Sequence, residues 1–235
     1  MSIYDDHVAM IACVAEAIGP DLCKEVAFVG GCTTGLLLTD PYTRELVRHT
    51  DDVDLIVHVI STRGWHELLD KLRSKGFKED MQEDGPICAM YLNGLRVDFM
   101  PDDASILSFS NIWYRDALQK AEEYRLSEKL TIRLVRPEYF IATKLEAYRN
   151  RGNDDPLESR DIEDILNLLD GRPELPAEIL AAPKAMRVYI SEQFSALLRT
   201  RDFDYAVQAA ANSDSGREEL LVDRIKLVIG FRDLA

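Results

Sequence analysis

Cysteine is scarce and poorly spaced for metal chemistry. Cys13, Cys23, Cys32 and Cys88 form no C-x-x-C pair, and the four histidines do not cluster. This argues against a zinc centre and against a disulfide framework, and it fits a reducing cytoplasm. Basic charge is also short, with 28 Lys and Arg against 42 Asp and Glu, a formal net charge of −14. Non-specific grip on nucleic acid needs a basic surface, so that class is disfavoured, although a local basic patch stays open. Long apolar runs are missing. Residues 8–18 are too few to cross a bilayer and include Glu16. Asp5 and Asp6 stand where a secretory leader carries positive charge. No membrane partner is expected, and there is no repeat or low-complexity tract. What is there is a chain of 235 residues, 46% hydrophobic, enough for one large domain or two small ones sharing a core.

Apolar spacing predicts a first helix over residues 8–18, ended by Gly19-Pro20. Residues 26–29 read as a short buried strand running into Gly30-Gly31 and then a helix-like run. That order puts backbone N–H groups and a helix start at one point, which suits an anion, although a plain tight turn has the same sequence. Residues 39–49 read as a polar loop. Residues 53–60 read as a strand, and Ser61 or Thr62 caps a helix with Trp65, Leu68, Leu69 and Leu72 on one stripe, closed by Gly76. Asn93-Gly94 joins two apolar runs, 87–92 and 95–100, as a hairpin. Residues 112–124 read as a helix and 130–134 as a strand. Pro137 opens a helix that Gly152 closes, and helices follow to the end of the chain. The pattern predicts an α+β fold: a small mixed β-sheet flanked by helices, with a helical C-terminal part. It divides the chain into a core over residues 1–136 and a helical domain over 137–235 packed on it.

The chemistry concentrates at Asp52-Val53-Asp54. Side chains two apart in a strand share a face, so Asp52 and Asp54 sit side by side at the strand's start. Two like charges that close repel, and burial worsens it. A cation offsets them. Asp98, in the hairpin's second arm, is a third carboxylate on a neighbouring strand. Mg²⁺ or Mn²⁺ takes oxygen ligands of this kind together with substrate phosphates, and two ions ~3.5–4 Å apart clamp the attacking and leaving oxygens of a phosphoryl displacement. With the glycine turn for a triphosphate, the set predicts metal-dependent nucleotidyl transfer from a nucleoside triphosphate. His58 shares the carboxylate face but lies further along and reads as structural.

Lys144 is out of place for its charge. On a helix turning ~100° per residue, with Phe140 at zero, Lys144 falls at about 40°, among Ile141, Leu145 and Tyr148. Glu138, Glu146 and Arg149 fall outside that arc, where charge belongs. A buried ammonium needs a partner. On the next helix Asp161 flanks the apolar face while Asp164 lies nearly opposite it, so Asp161 is the expected partner. Arg133, Arg136, Arg149, Arg151 and Arg160 are the candidates for a local basic patch near Lys144.

Val29-Gly30-Gly31, Asp52-Val53-Asp54 and Val97-Asp98-Phe99 resemble the motifs of the DNA polymerase β-type nucleotidyltransferase superfamily. Thr50-Asp51-Asp52-Val53-Asp54, with Ala142-Thr143-Lys144-Leu145-Glu146-Ala147 and Ser159-Arg160-Asp161-Ile162-Glu163-Asp164-Ile165, resembles its AbiEii/AbiGii toxin-type branch. The resemblance runs to about residue 169. It implies Asp52 and Asp54 as metal ligands, Gly30 and Gly31 as the phosphate-facing turn, Lys144 as a phosphate-binding base and Asp161 as its helical partner. Where the family often has a hydroxyl after the glycine pair this chain has Cys32, with Thr33 and Thr34 behind it as the hydroxyls for the triphosphate. The segment from Gly31 to Asp52 is also longer than the superfamily's usual spacing. Some members of the branch are toxins of toxin–antitoxin pairs that add nucleotides to the acceptor end of tRNA. Three readings stay open: an enzyme acting on the 3′ end of tRNA and paired with an antitoxin; an enzyme acting on a small hydroxylated acceptor such as an aminoglycoside; and a partner-binding protein without turnover.

Overall fold

A computed structural model describes residues 2–79, 87–108, 110–151 and 154–231. Along the chain run α1 (Ile3–Cys23), β1 (Ala27–Val29), a 3-10 turn (Gly31–Thr33), α2 (Thr34–Leu37), α3 (Pro41–Arg44), β2 (Asp52–Val57), α4 (Thr62–Ser74), β3 (Lys78–Glu79), β4 (Ala89–Leu92) and β5 (Leu95–Pro101). Then come α5 (Ala104–Leu107), α6 (Tyr114–Lys120), β6 (Glu122–Arg125), β7 (Thr131–Leu134), α7 (Pro137–Arg151), α8 (Arg160–Gly171), α9 (Leu175–Ala181), α10 (Lys184–Leu197), α11 (Arg201–Ala210) and α12 (Ser215–Gly230). The chain gathers into two compact units. One holds residues 1–35 and 48–136, the other 36–47 and 137–235. Residues 36–47 thus leave the segment from which the rest of the first unit is built.

In the first unit the strands lie side by side in the order β3-β4-β5-β2-β1-β7-β6, one seven-stranded sheet. β2 runs parallel to β5, and β1 parallel to β7; the other neighbours are antiparallel. This is the mixed sheet with flanking helices that the pattern implies. Val53 and Leu55 of β2 stand level with Val97 and Phe99 of β5, and all four are fully buried. The Phe77 ring meets Phe99 edge-on, centroids 5.6 Å apart. At the hairpin, Asn93 and Gly94 both take positive φ, 53° and 88°, and Leu92 pairs with Leu95. That is the two-residue turn an Asn-Gly pair favours. Register in β4 and β5 follows from it.

Several elements differ from expectation, each for a local reason. Ser2 and Asp5 form a reciprocal cap that starts α1 five residues early. Gly19-Pro20 kinks α1 instead of ending it: Gly19 leaves helical geometry at φ 77°, and one more turn follows. The helix expected over residues 112–124 is only α6. Arg133 donates to the carbonyls of Leu118 (2.6 Å) and Ala121 (3.4 Å), closing the helix, and Glu122–Arg125 pairs with β7 as an edge strand. Residues 39–49 are not all loop. Asp40 accepts from the Thr43 amide (3.0 Å) and caps the short α3. Gly152, expected to close α7, lies outside the described residues.

The second unit is helical. α7 packs against α8, α9 and α10, and α8 against α3, α11 and α12. Gly171 marks the seat of residues 36–47: its carbonyl accepts the amides of Thr39 (3.0 Å) and Asp40 (2.9 Å), and a Cβ there would stand 2.7 Å from the Thr43 Cβ. Residues 137–146 of α7 are all buried. Glu138 and Glu146 are each only 2% exposed, so the expectation that they face solvent is corrected. Glu146 accepts from Tyr189 Oη (2.7 Å), Arg149 Nη2 (3.1 Å) and Asn150 Nδ2 (3.2 Å), bonds that make its burial affordable. Among the described residues no helix is long and apolar enough to cross a membrane.

Candidate active site

Strand period and register assemble the carboxylates. Asp54 stands directly opposite Asp98 in the parallel pair of β2 and β5, and Asp52 opposite Arg96. Asp52 and Asp54 share a face by period two, and so do Arg96 and Asp98. One oxygen from each of Asp52, Asp54 and Asp98 lies within 4.8 Å of the others. Asp98 is buried at 8% exposure and the other two are half-buried. The donor set is all oxygen. The Cys88 thiol is pushed up to about 12, by burial first and then by the charges of Asp98 and Asp54, so it stays protonated. Three carboxylates without sulfur or imidazole fit a hard divalent cation such as Mg²⁺ or Mn²⁺.

Arg96 grips Asp98 with both sides of its fork, Nε to Oδ1 at 2.9 Å and Nη2 to Oδ2 at 2.6 Å. These hydrogen bonds hold the guanidinium proton more tightly than usual, against the opposing effect of partial burial. Period two along β5 places Arg96 on the face of Asp98. The i−2 spacing from Asp98 was the signal that could have paired them.

The end of β1 supplies the other wall. Val29 pairs with Asp54, and the chain then turns at Gly30 with φ 83°. A Cβ on Gly30 would lie 1.8 Å from Asp54 Oδ2 and 2.6 Å from its Cγ. Both the backbone angle and the carboxylate demand glycine here. Gly31 is buried in the 3-10 turn that follows. Thr33, fully buried, spends its hydroxyl on the Gly30 carbonyl at 2.8 Å. Thr34 is 1% exposed, and its Oγ1 has no hydrogen-bond partner among the described residues.

Lys144 and Asp161 lie in the second unit. Lys144 is 6% exposed, as its place in the apolar arc of α7 implies, and its Nζ stands 3.1 Å from Asp161 Oδ1 and 2.7 Å from Asp164 Oδ2. Asp164 is fully buried. Its expected placement opposite the apolar face is therefore corrected, because α8 is enclosed by α7, α3, α11 and α12 rather than by one neighbour. Arg151 forks onto Asp161 with two bonds of 3.1 Å. Burial pushes the Asp161 carboxyl up, but Lys144 and Arg151 together outweigh it and hold the group below the usual carboxylate value. Three of the other candidate basic residues have partners of their own. Arg133 caps α6, Arg136 meets Glu122 at 3.4 Å, and Arg149 meets Glu146. Arg160 is exposed. His58 Nδ1 lies 2.8 Å from the buried Asp102 Oδ2, consistent with the structural reading.

A mixed sheet carrying this acid trio beside a glycine turn defines the nucleotidyltransferase class. A family model described as "Nucleotidyl transferase AbiEii toxin, Type IV TA system" matches residues 21–220. The chain belongs to this AbiEii nucleotidyl transferase toxin family. No curated protein matches it.

Proposed function

We propose that this protein moves a nucleoside monophosphate from a nucleoside triphosphate to the 3′-terminal hydroxyl of tRNA, with Mg²⁺ or Mn²⁺ held by Asp52, Asp54 and Asp98. The convergence of the three carboxylates within 4.8 Å carries the reading. An acceptor oxygen forms a bond to the α-phosphorus. The bond from that phosphorus to the bridging oxygen breaks, pyrophosphate leaves with the electron pair, and the hydroxyl proton is released. Asp52, Asp54 and Asp98 would hold the divalent cations, which when bound would offset the carboxylates and stabilise charge on the attacking and leaving oxygens. Gly30 and Gly31 let backbone N–H groups approach the phosphates, and the buried Thr34 hydroxyl is the side-chain donor of that turn, while the Thr33 hydroxyl, bonded to the Gly30 carbonyl, holds its shape. In the second unit Lys144, with Asp161 as its partner at 3.1 Å, is kept as a phosphate-binding base on the family resemblance alone. As a member of a toxin family the enzyme acts in the cytoplasm under a cognate antitoxin.

A second reading has its own support. The chain carries a net charge of −14, and Arg133, Arg149 and Arg151 are engaged internally. Such a surface suits a small cationic acceptor such as an aminoglycoside better than RNA. Incubation with α-labelled nucleoside triphosphates, Mg²⁺, total tRNA and an aminoglycoside separates the two. Label on RNA supports the first reading, and label on the aminoglycoside replaces it with the second. No label on either contradicts both.

A further inference from the structure

Thr50 sits in the lead-in to β2, 4% exposed and two residues before Asp52. Its Oγ1 donates a hydrogen bond to Asp52 Oδ1. Its amide donates to Nε2 of His7, 3.3 Å away on α1, and that ring is 1% exposed. His7 ties the main chain of Thr50 to the first helix, and Thr50 in turn ties down one oxygen of a half-buried carboxylate. A surface aspartate with no such donor samples several rotamers, and a cation that binds it bears the cost of choosing one.

We propose that Thr50 is a positioning residue for Asp52, with its main chain anchored by His7, and that it pre-sets this carboxylate for the divalent cation. The inference rests on the metal reading above. Groups that orient metal ligands from outside the coordination sphere typically change affinity by 10–100-fold when removed. A residue that only caps the strand would change stability and leave affinity alone. Thr50→Val keeps the shape and the amide but deletes the hydroxyl; Thr50→Ser keeps the hydroxyl.

The test is Mn²⁺ titration of the full chain without nucleotide, following free Mn²⁺ by electron paramagnetic resonance, with thermal melting of the metal-free protein alongside. The expected result is Mn²⁺ affinity weakened roughly tenfold or more in Thr50→Val, little change in metal-free melting, and near-normal affinity in Thr50→Ser. Should Thr50→Val fail to fold, Thr50→Ala takes the same measurement with the same expectation. An unmodified chain that binds no Mn²⁺ overturns the metal reading, and this inference with it. An unmodified chain that binds, alongside a Thr50→Val chain that binds equally well, overturns this inference alone. So does a Thr50→Ser chain as weak as Thr50→Val.

Discussion

Two clusters of acidic and basic side chains, one in each unit, are built in opposite ways. In the second unit Lys144 reaches Asp161 and Asp164, while Arg151 forks onto Asp161, so each buried carboxylate is met by a cation within 3.1 Å. In the first unit Arg96 answers Asp98, yet oxygens of three carboxylates still converge within 4.8 Å beside a glycine that leaves room for nothing but Asp54. One cluster completes its electrostatics from its own residues. The other brings like charges together, an arrangement that costs stability unless a cation from outside arrives. Removing a charge should therefore have opposite consequences in the two places.

The largest expected effect is on transfer. Asp54→Asn or Asp52→Asn should lower turnover of labelled nucleoside triphosphate by roughly a thousandfold, the scale of losing a transition-state charge stabiliser. Thermal melting without metal should hold or rise, because a like-charge contact is relieved. A variant with near-normal turnover, or one that melts much earlier, would erase the contrast. Next comes Lys144→Ala, which removes the ammonium shared by two buried carboxylates and should cost about 3–5 kcal/mol in urea unfolding. Lys144→Met combined with Asp164→Leu should lose less than the two single changes summed, since a buried pair replaced together leaves no lone charge. Strict additivity would show that the contact carries no coupling. Gly30→Ala is smaller, about 1–3 kcal/mol of strain from the backbone angle beyond the clash with Asp54, read in the same unfolding experiment.

The smallest effect is with pH. Lys144 and Arg151 hold the Asp161 carboxyl below the ordinary carboxylate value in the folded chain, against the opposing effect of burial. A carboxylate of depressed folded pKa stabilises above its unfolded pKa, about 3.9, and that stability is lost as pH falls through the folded value. Urea midpoints should therefore fall more steeply below about pH 4 in the unmodified chain than in Asp161→Asn. Identical acid limbs would remove the Lys144–Arg151 cluster from the account.

The first cluster was far more legible in the sequence than the second. Period two along a strand places Asp52 with Asp54, and an Asn-Gly turn pairs β5 with β4 and so fixes which residues of β5 share a face with Asp98. Those are short-range rules. Applied once more, they reach Arg96 from Asp98 and Thr50 from Asp52, both at i−2. The second cluster depends on what surrounds a helix. Wheel angles place Lys144 inward, but they send Asp164, Glu138 and Glu146 outward, and all three are buried. A helix enclosed by several neighbours has no polar side for such angles to find. The contact of Gly171 with residues 38–43 spans most of the chain, so no local pattern announces it. Edge strand β6 carries Glu122-Glu123-Tyr124-Arg125, with no apolar alternation, and is defined only by its pairing with β7.

The acid trio on β2 and β5 is proposed to serve nucleotidyl transfer. Its most direct test sets α-labelled against γ-labelled nucleoside triphosphate in parallel reactions with Mg²⁺ and total tRNA, using the unmodified chain and Asp54→Asn. The expected result is α-label in the product, γ-label only in released pyrophosphate, and neither with Asp54→Asn. Retention of γ-label in the product, or transfer of α-label that survives Asp54→Asn, would contradict it.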